Sequence, residues 1–206
     1  MGRSTGMFES LKGGGAAIAL DEIEISILRS LAVQMLELIG PGDPEPAEDA
    51  DPLAALFAEG PTEPPSDPAL ARLFPDAYGS PGGTGGTGDE GVDPAETKAR
   101  SAEFRRFTEN DLRARKREDA LALVRSLDAL TPAGDGAAVL ELTDELPLRW
   151  LGGLNDLRLT LAARLDITED DESAALFRLP DDDPRKPMVM AYLWLGGLQE
   201  SLIETL

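Results

Sequence analysis

The amino-acid sequence predicts a mainly α protein: a helical bundle of about four to five helices with a small two-stranded β-ribbon and a disordered acidic, Gly-rich insertion. Three observations support this fold class. Apolar residues recur at spacings of three and four over long segments, which is typical of helices that bury one face. The pentapeptide Trp-Leu-Gly-Gly-Leu occurs twice within such segments, at Trp150 and at Trp194. Between the helical segments, residues 41–94 are dominated by Pro, Gly, Asp and Glu.

Residues 1–40 predict the N-terminal strand and helix of a single domain. A short strand covers residues 16–20, and Asp21 follows as a helix N-cap with Glu24 three positions later, which is a capping-box pattern. The helix is expected to end at Ile39, before Gly40 and Pro41. Its predicted buried stripe consists of Ile23, Ile27, Leu31, Met35 and Leu38.

Residues 41–94 are predicted to form an acidic insertion in that domain. One helical turn is expected at residues 53–58. A short docking helix at residues 67–78 has Asp67 as its N-cap and Pro68 at its first helical position. Residues 83–88 match a dinucleotide-binding fingerprint, but no strand precedes them and no helix follows, so residues 79–91 are interpreted as a flexible linker. The apolar residues expected to dock the short helix on the core are Leu70, Leu73 and Phe74.

Residues 95–206 are predicted to form the helical core. Its first helix begins at the N-cap Asp93 and Pro94 and runs towards Leu130, with a break near residues 108–111. Residues 137–142 form a second strand, which pairs with residues 16–20 in the ribbon.

The two copies of the pentapeptide predict two helices in close contact with each other or with a third element. Each copy has two adjacent glycines in mid-helix, where each costs about 1 kcal/mol relative to alanine. Close approach of another backbone would offset that cost, so we expect Gly153 and Gly197 to lie at helix contacts. The last helix is apolar nearly all round and is placed at the bundle centre. Met35 and residues 188–190 are expected to be buried.

The composition restricts the classes of function. There is no cysteine and no histidine, which excludes disulfides, thiolate zinc sites and His-dependent triads. A calcium loop starting at Asp166 fails because its sixth position is Asp171 rather than Gly and its twelfth is Phe177 rather than Glu. We therefore predict no metal, no cofactor and no enzymatic activity.

The charge and apolar patterns bear on location and partners. A net charge of −20 disfavours DNA and anionic membranes as partners. The longest apolar stretch, residues 188–198, is too short to span a bilayer, and no secretory signal is evident. We expect a cytoplasmic protein without membrane contact.

Polar residues flank the apolar stripe of both repeat helices. We interpret them as a structural polar layer that sets helix register, with Arg158 or Arg105 neutralising the acids. The alternative is a carboxylate-dependent hydrolase in which Asp156 and Glu200 act as an acid–base pair. The polar layer consists of Asn155, Asp156, Arg158, Gln199 and Glu200.

A basic segment, residues 105–117, contrasts with the acidic chain. Residues 98–117 hold eight basic and three acidic residues, a net +5, and the rest of the chain carries −25. We expect the segment to bind acids of the same protein or an acidic partner; the alternative is direct DNA binding. Phe104 and Phe107 are expected to be core anchors. The partner-binding candidates are Arg105, Arg106, Arg113, Arg115, Lys116 and Arg117.

Four motifs, in order and spacing, carry a resemblance to a known family. They are residues 63–78, residues 103–109 with 112–117, residues 155–161, and residues 192–195 with 198–202. The chain resembles an actinobacterial domain-of-unknown-function family, some of whose members are described as oxidative stress transcriptional regulators. The resemblance implies a cytoplasmic regulator that works with an alternative sigma factor or RNA polymerase to raise expression of stress and cysteine-synthesis genes. The sequence itself is compatible with a homodimer.

The chain departs from that family at its N-terminus. Members with a proposed redox switch have a close cysteine pair there, whereas residues 1–8 of this chain contain none. Sensing of oxidants through a disulfide is therefore not expected, and the alternative is sensing through methionine oxidation.

Overall fold

The computed structural model describes residues 6–41, 59–78, 93–131, 137–167 and 178–206. These ranges contain five helices and a small antiparallel sheet, which confirms the mainly α fold class. The helical turn at 53–58, the linker at 79–91 and most of the window that starts at Asp166 lie outside the described residues. The elements are β1 (Glu9–Ser10), β2 (Ala16–Asp21), α1 (Glu22–Ile39), α2 (Pro68–Leu73), α3 (Pro94–Asp128), β3 (Ala137–Leu142), α4 (Leu146–Arg164) and α5 (Lys186–Ile203).

The sheet has three strands in the order β1-β2-β3, rather than the two predicted. β1 is only two residues long, too short for an alternation pattern to mark it in the sequence. Between β1 and β2 the chain turns back through two backbone hydrogen bonds of 3.0 Å between Leu11 and residues 14 and 15. One face of β2 and β3 lies in the core, through Ala16, Ile18, Leu20, Leu140 and Leu142.

Helix α1 begins with the predicted capping box. The Asp21 carboxylate accepts the Glu24 N–H at 2.8 Å, and the Glu24 carboxylate accepts the Asp21 N–H at 2.9 Å. The predicted buried stripe is wrong in the first turns, because Ile23 and Ile27 are 69% and 40% exposed. The side that packs on the bundle is rotated by one position along the helix. It consists of Leu28, Ala32, Met35 and Ile39.

Helix α2 is held on the core by both of its ends. Its N-cap Asp67 accepts the N–H groups of Ala69 and Leu70 at 2.8 and 3.2 Å, which lower the pKa of the Asp67 carboxyl. The same carboxylate binds Arg164 of α4 at 3.1 Å. At the other end, the Leu73 and Phe74 side chains are buried in the main core.

Helix α3 is continuous over 35 residues, so the predicted break near residues 108–111 is wrong. Glu109, within that range, is buried between Arg105 and Arg113, one turn away on either side. The expectation that Phe104 and Phe107 anchor the core is also wrong, since they are 49% and 64% exposed. Polar residues with partners elsewhere in the fold occupy the buried side of this part of α3.

The central helix of the bundle is α4, not the last helix as predicted. Helices α2, α3 and α5 all pack on α4, and its Trp150, Leu154 and Leu157 are buried. Helix α5 packs on α4 by one side only, with Met190 55% and Leu193 40% exposed on the other. None of the helices in the described ranges is long and apolar enough to cross a membrane.

The two glycine pairs have different surroundings. A Cβ atom built on Gly153 would lie 2.6 Å from a methyl carbon of Leu123 in α3, so the first copy of the pentapeptide is at a close helix contact. A Cβ atom on Gly197 would meet nothing within 4 Å. The expectation of close contact is confirmed for Gly153 and wrong for Gly197. Burial is likewise found for Met35 but not for Met188, which is 38% exposed.

Candidate functional site

The basic segment of α3 begins with a buried guanidinium. Arg105 is 4% exposed, and its guanidinium donates to the Phe74 carbonyl oxygen at 3.0 Å and to the Asp76 carboxylate at 2.8 Å. It also pairs with the buried Glu109 carboxylate. Two acids and one carbonyl of the same chain therefore bind the two terminal nitrogens of this guanidinium, whereas its buried Nε has no hydrogen-bond partner among the described residues.

Two other arginines of the segment, Arg113 and Arg117, bind the end of α1. Arg113 donates to Glu109 at 2.7 Å and to the Ile39 carbonyl at 2.9 Å, and its guanidinium stacks 4.3 Å from the Phe74 ring centroid. Arg117 donates to the Gly40 carbonyl oxygen. The last turn of α1 has no basic residue of its own. These two side chains supply the positive charge that stabilises a helix C-terminus.

Lys116 joins α3 to α4. Its ammonium lies 2.5 Å from the Asp156 carboxylate, and both side chains are largely buried. Burial raises the pKa of the Asp156 carboxyl, and the charge of Lys116 opposes that shift. Lys116, rather than Arg158 or Arg105, therefore neutralises this acid. Asp119 lies one turn further along α3, and burial also raises the pKa of its carboxyl. Its carboxylate pairs with Arg149 at 3.7 Å.

The two remaining candidates of the segment differ in exposure. Arg106 pairs with Glu59, and its guanidinium lies 5.2 Å from the Phe107 ring centroid. Arg115 is exposed and takes part in no hydrogen bond or ion pair within the described ranges. Five of the six basic candidates thus bind groups of their own chain, and Arg115 is the one that faces solvent without such a bond.

The polar layer is divided between two separate contacts. Arg158 of α4 donates to the Gln199 side-chain oxygen at 2.7 Å, and Gln199 donates to Asn155 at 3.5 Å, which ties α4 to α5. Asp156 faces α3 instead. Glu200 is exposed and forms no side-chain hydrogen bond or ion pair with any described residue. The structure therefore does not join Asp156 and Glu200 as the hydrolase alternative requires.

One acidic surface, the outer face of the sheet, was not predicted from the sequence. In the strand register, Glu9 and Glu141 lie on either side of Ala17, and Val139 lies beside Ala19 in the neighbouring row. Residues directly opposite on adjacent strands share a face, so both carboxylates point away from the core. Glu9 and Glu141 are exposed, and Val139 is 43% exposed. We call Glu9, Ala17, Ala19, Val139 and Glu141 the acidic sheet face.

The sequence predicted the strands β2 and β3 but not β1, the third strand of the sheet. The alternation of exposed and buried residues in β3 marks Glu141 as outward-facing. Only β1, too short to predict, brings Glu9 into the same row. Within the described ranges, no group of three or more carboxylates is placed to hold a metal ion.

Comparisons with known proteins identify relatives over most of the chain. The family described as a domain of unknown function, DUF2017, matches residues 5–206. The chain is 32% identical over 184 residues to the putative oxidative stress regulator AosR of Mycobacterium leprae (strain TN), covering 87% of this chain and 77% of that protein. It is 30% identical over 181 residues to the oxidative stress regulator AosR of Mycobacterium tuberculosis (strain ATCC 25618 / H37Rv), with the same coverage. No solved structure matches it.

Proposed function

Because the chain belongs to the DUF2017 family, and its mycobacterial relatives are named oxidative stress regulators, we propose that it is a non-enzymatic transcriptional regulator that acts through protein contacts. Its partner in this proposal is an alternative sigma factor or RNA polymerase. The regulated genes are those of the oxidative stress response and of cysteine synthesis. The protein works in the cytoplasm, where that partner is found.

The inward orientation of the basic segment carries this proposal. A protein that binds DNA needs cations that can approach phosphates, since displaced counterions supply most of the affinity. Here Arg105, Arg113, Lys116 and Arg117 are bound to carbonyl oxygens and carboxylates of the same chain. The chain as a whole carries a net charge of −20, so its surface is acidic. Such a surface repels nucleic acid and attracts basic protein segments.

We place the partner on the acidic sheet face. Adjacent strands lie about 4.8 Å apart, so the backbones of Glu9 and Glu141, two strands apart, lie about 10 Å from each other. Val139 is 43% exposed and Ala19 is half-buried beside them, whereas Ala17 between them is buried. This combination fits a segment of the partner that carries Lys or Arg residues on both sides of an apolar stripe. Glu9, Val139 and Glu141 on that face are exposed.

A binding experiment with matched charge reversals tests the proposal. The purified full chain is titrated into purified RNA polymerase holoenzymes of the native host, each with one sigma factor, and affinity is measured by biolayer interferometry. We expect saturable binding to at least one holoenzyme. The double variant Glu9→Lys/Glu141→Lys should weaken that binding at least about tenfold, since like charges then face each other.

Two controls separate the sheet from the rest of the surface. Glu103→Lys/Asp111→Lys makes the same change in net charge at two exposed acids of α3 and should leave the affinity within about twofold. Arg115→Glu removes the exposed cation of the basic segment and should leave binding intact. An equal loss in both double variants would contradict the assignment of the sheet face. Loss in Arg115→Glu alone would instead identify the basic segment as the docking surface.

A further inference from the structure

One side of α5 forms an exposed stripe with the spacing of a helix-packing surface. The positions follow one another at intervals of four, three, four, three and four, which keeps them on one side of a helix. Its apolar members Met190 and Leu193 are 55% and 40% exposed, and Glu200 and Glu204 are exposed. We call this set the α5 stripe: Lys186, Met190, Leu193, Gly197, Glu200 and Glu204.

Gly197 in the middle of this stripe has no packing role within its own chain. Glycine is a poor helix former, and a Cβ atom at this position would meet open space. Its counterpart in the first copy of the pentapeptide, Gly153, lies against the side chain of Leu123. The two copies thus differ at their second glycine. In the first copy the Leu123 side chain covers Gly153, whereas in the second copy no described residue covers Gly197.

We propose that a second copy of this chain covers the α5 stripe, so that two α5 helices pack antiparallel about a twofold axis near residue 195. In this arrangement, Leu193 of one protomer fills the space over Gly197 of its partner, and the reverse contact follows by symmetry. The contact repeats between protomers what Leu123 and Gly153 do within one protomer. A protruding leucine and a glycine gap one turn apart make the stripe complementary to itself.

The charges of the stripe agree with the antiparallel alignment. The alignment that places Leu193 on Gly197 also places Lys186 of one protomer, which pairs with Asp181 of its own chain, opposite Glu204 of its partner at both ends of the contact. The same alignment places Glu200 opposite Met190. Residues 187–199 contain no charged side chain. A surface patch without carboxylates matters for self-association in a chain of net charge −20, because like charges elsewhere on the surface repel. Antiparallel helices also bring opposite dipole ends together.

A second copy is favoured over a helix of another protein by this charge pattern. A foreign partner of an acidic chain would be expected to present several cations, whereas the centre of the stripe offers no acid to bind them. The dimer contact does not rest on the proposed regulatory function, since it uses α5 and leaves the acidic sheet face free.

Sedimentation equilibrium of the full chain tests the dimer. We expect the mass to rise with concentration towards twice the 21.9 kDa of one chain. Leu193→Glu should raise the dimer dissociation constant at least about tenfold. The matched control is Leu148→Glu, which changes a 63% exposed leucine at the start of α4 and should leave the dissociation constant unchanged. Normal melting of both variants establishes that each is folded.

Engineered cysteines test the register, because the chain has none of its own. When a Leu193→Cys chain is mixed with a Gly197→Cys chain under mild oxidation, the mixed disulfide should form faster than either symmetric one. Faster symmetric disulfides would overturn the antiparallel alignment. A mass of one chain at about 0.1 mM would overturn the dimer itself and leave the stripe to a different protein. Equal weakening by Leu193→Glu and Leu148→Glu would show that another surface makes the dimer.

Discussion

The same substitution in the two copies of the repeated pentapeptide is expected to change stability in opposite directions. In Gly153→Leu, the new Cβ would lie 2.6 and 3.1 Å from the two methyl carbons of Leu123. Leu123 is fully buried, so it cannot move aside without displacing other core side chains. In Gly197→Leu, the new side chain extends from α5 into open space.

The magnitudes follow from two opposing contributions. Overpacking a well-packed core costs about 1 to 3 kcal/mol, and replacing a mid-helix glycine with leucine returns about 0.8 kcal/mol of helix propensity. Gly153→Leu should therefore lose up to about 2 kcal/mol of unfolding free energy. Gly197→Leu gains the same helix propensity without an overpacking cost, so its free energy of unfolding should rise by about 0.8 kcal/mol. The two variants therefore differ by the overpacking cost of about 1 to 3 kcal/mol. For a chain of this length, 1 kcal/mol shifts the melting temperature by about 2 to 4 °C, so they should melt about 2 to 12 °C apart.

Differential scanning calorimetry measures both variants and the wild type. The chain concentration is kept at a few micromolar, about the range in which a weak dimer dissociates, so that self-association adds little to the stability. Equal losses in the two variants would show that Gly197 is packed within its own chain. Wild-type melting of Gly153→Leu would refute the Leu123 contact.

Three further outcomes are expected. Asp119→Asn should stabilise the chain at pH 7, because burial raises the pKa of Asp119 above its usual 3.8 and its charged form is the costly one. At pH values between 3.8 and the raised pKa of Asp119, the folded chain binds more protons than the unfolded chain. The contribution of Asp119 to wild-type stability therefore rises as pH falls. The advantage of the variant in melting temperature should accordingly shrink towards pH 4. Arg105→Met should cost about 3 kcal/mol in a denaturant titration, because Glu109 stays buried with one cation fewer; a loss below about 1 kcal/mol would contradict the role of this pair. Under hydrogen peroxide, peptide mass spectrometry should find Met7, 43% exposed, oxidised well before Met35, 1% exposed, and equal rates would contradict the packing of α1.

The starts of α1, α2 and α3 could be predicted from the sequence because their signals are local. Asp21, Asp67 and Asp93 each accept backbone N–H groups two or three residues ahead of them, and short polar side chains before an apolar run are visible without any knowledge of the fold. The pairing of β2 with β3 was likewise predicted from two short apolar runs, since no other strand partner of similar length was evident.

The sides that the helices bury could not be predicted in the same way. Phe104 and Arg105 are neighbours on α3, and apolar character alone places the phenylalanine inside. The structure does the opposite because Asp76 and the Phe74 carbonyl, about thirty residues earlier in the chain, accept the Arg105 guanidinium. A buried cation is stable only where such partners converge, and their convergence is a property of the tertiary fold.

The candidate site was obscured for a related reason. Counting charges marks the basic segment as a surface for partners, yet the count does not reveal that Arg117 binds the end of α1 or that Lys116 binds Asp156. The acidic sheet face could not be predicted because its two carboxylates are distant in the sequence. Glu9 and Glu141 are 132 positions apart in the sequence, and only the strand register places them in one row.

The most direct test of the central claim compares protein and DNA as partners of the same labelled chain. The purified full chain is titrated in parallel with RNA polymerase holoenzyme and with a promoter fragment, and binding is followed by fluorescence anisotropy. If the chain acts through protein contacts, it binds the holoenzyme saturably and the promoter fragment not at all at physiological salt. Tight binding to the fragment alone, falling steeply as salt is raised, would contradict the account.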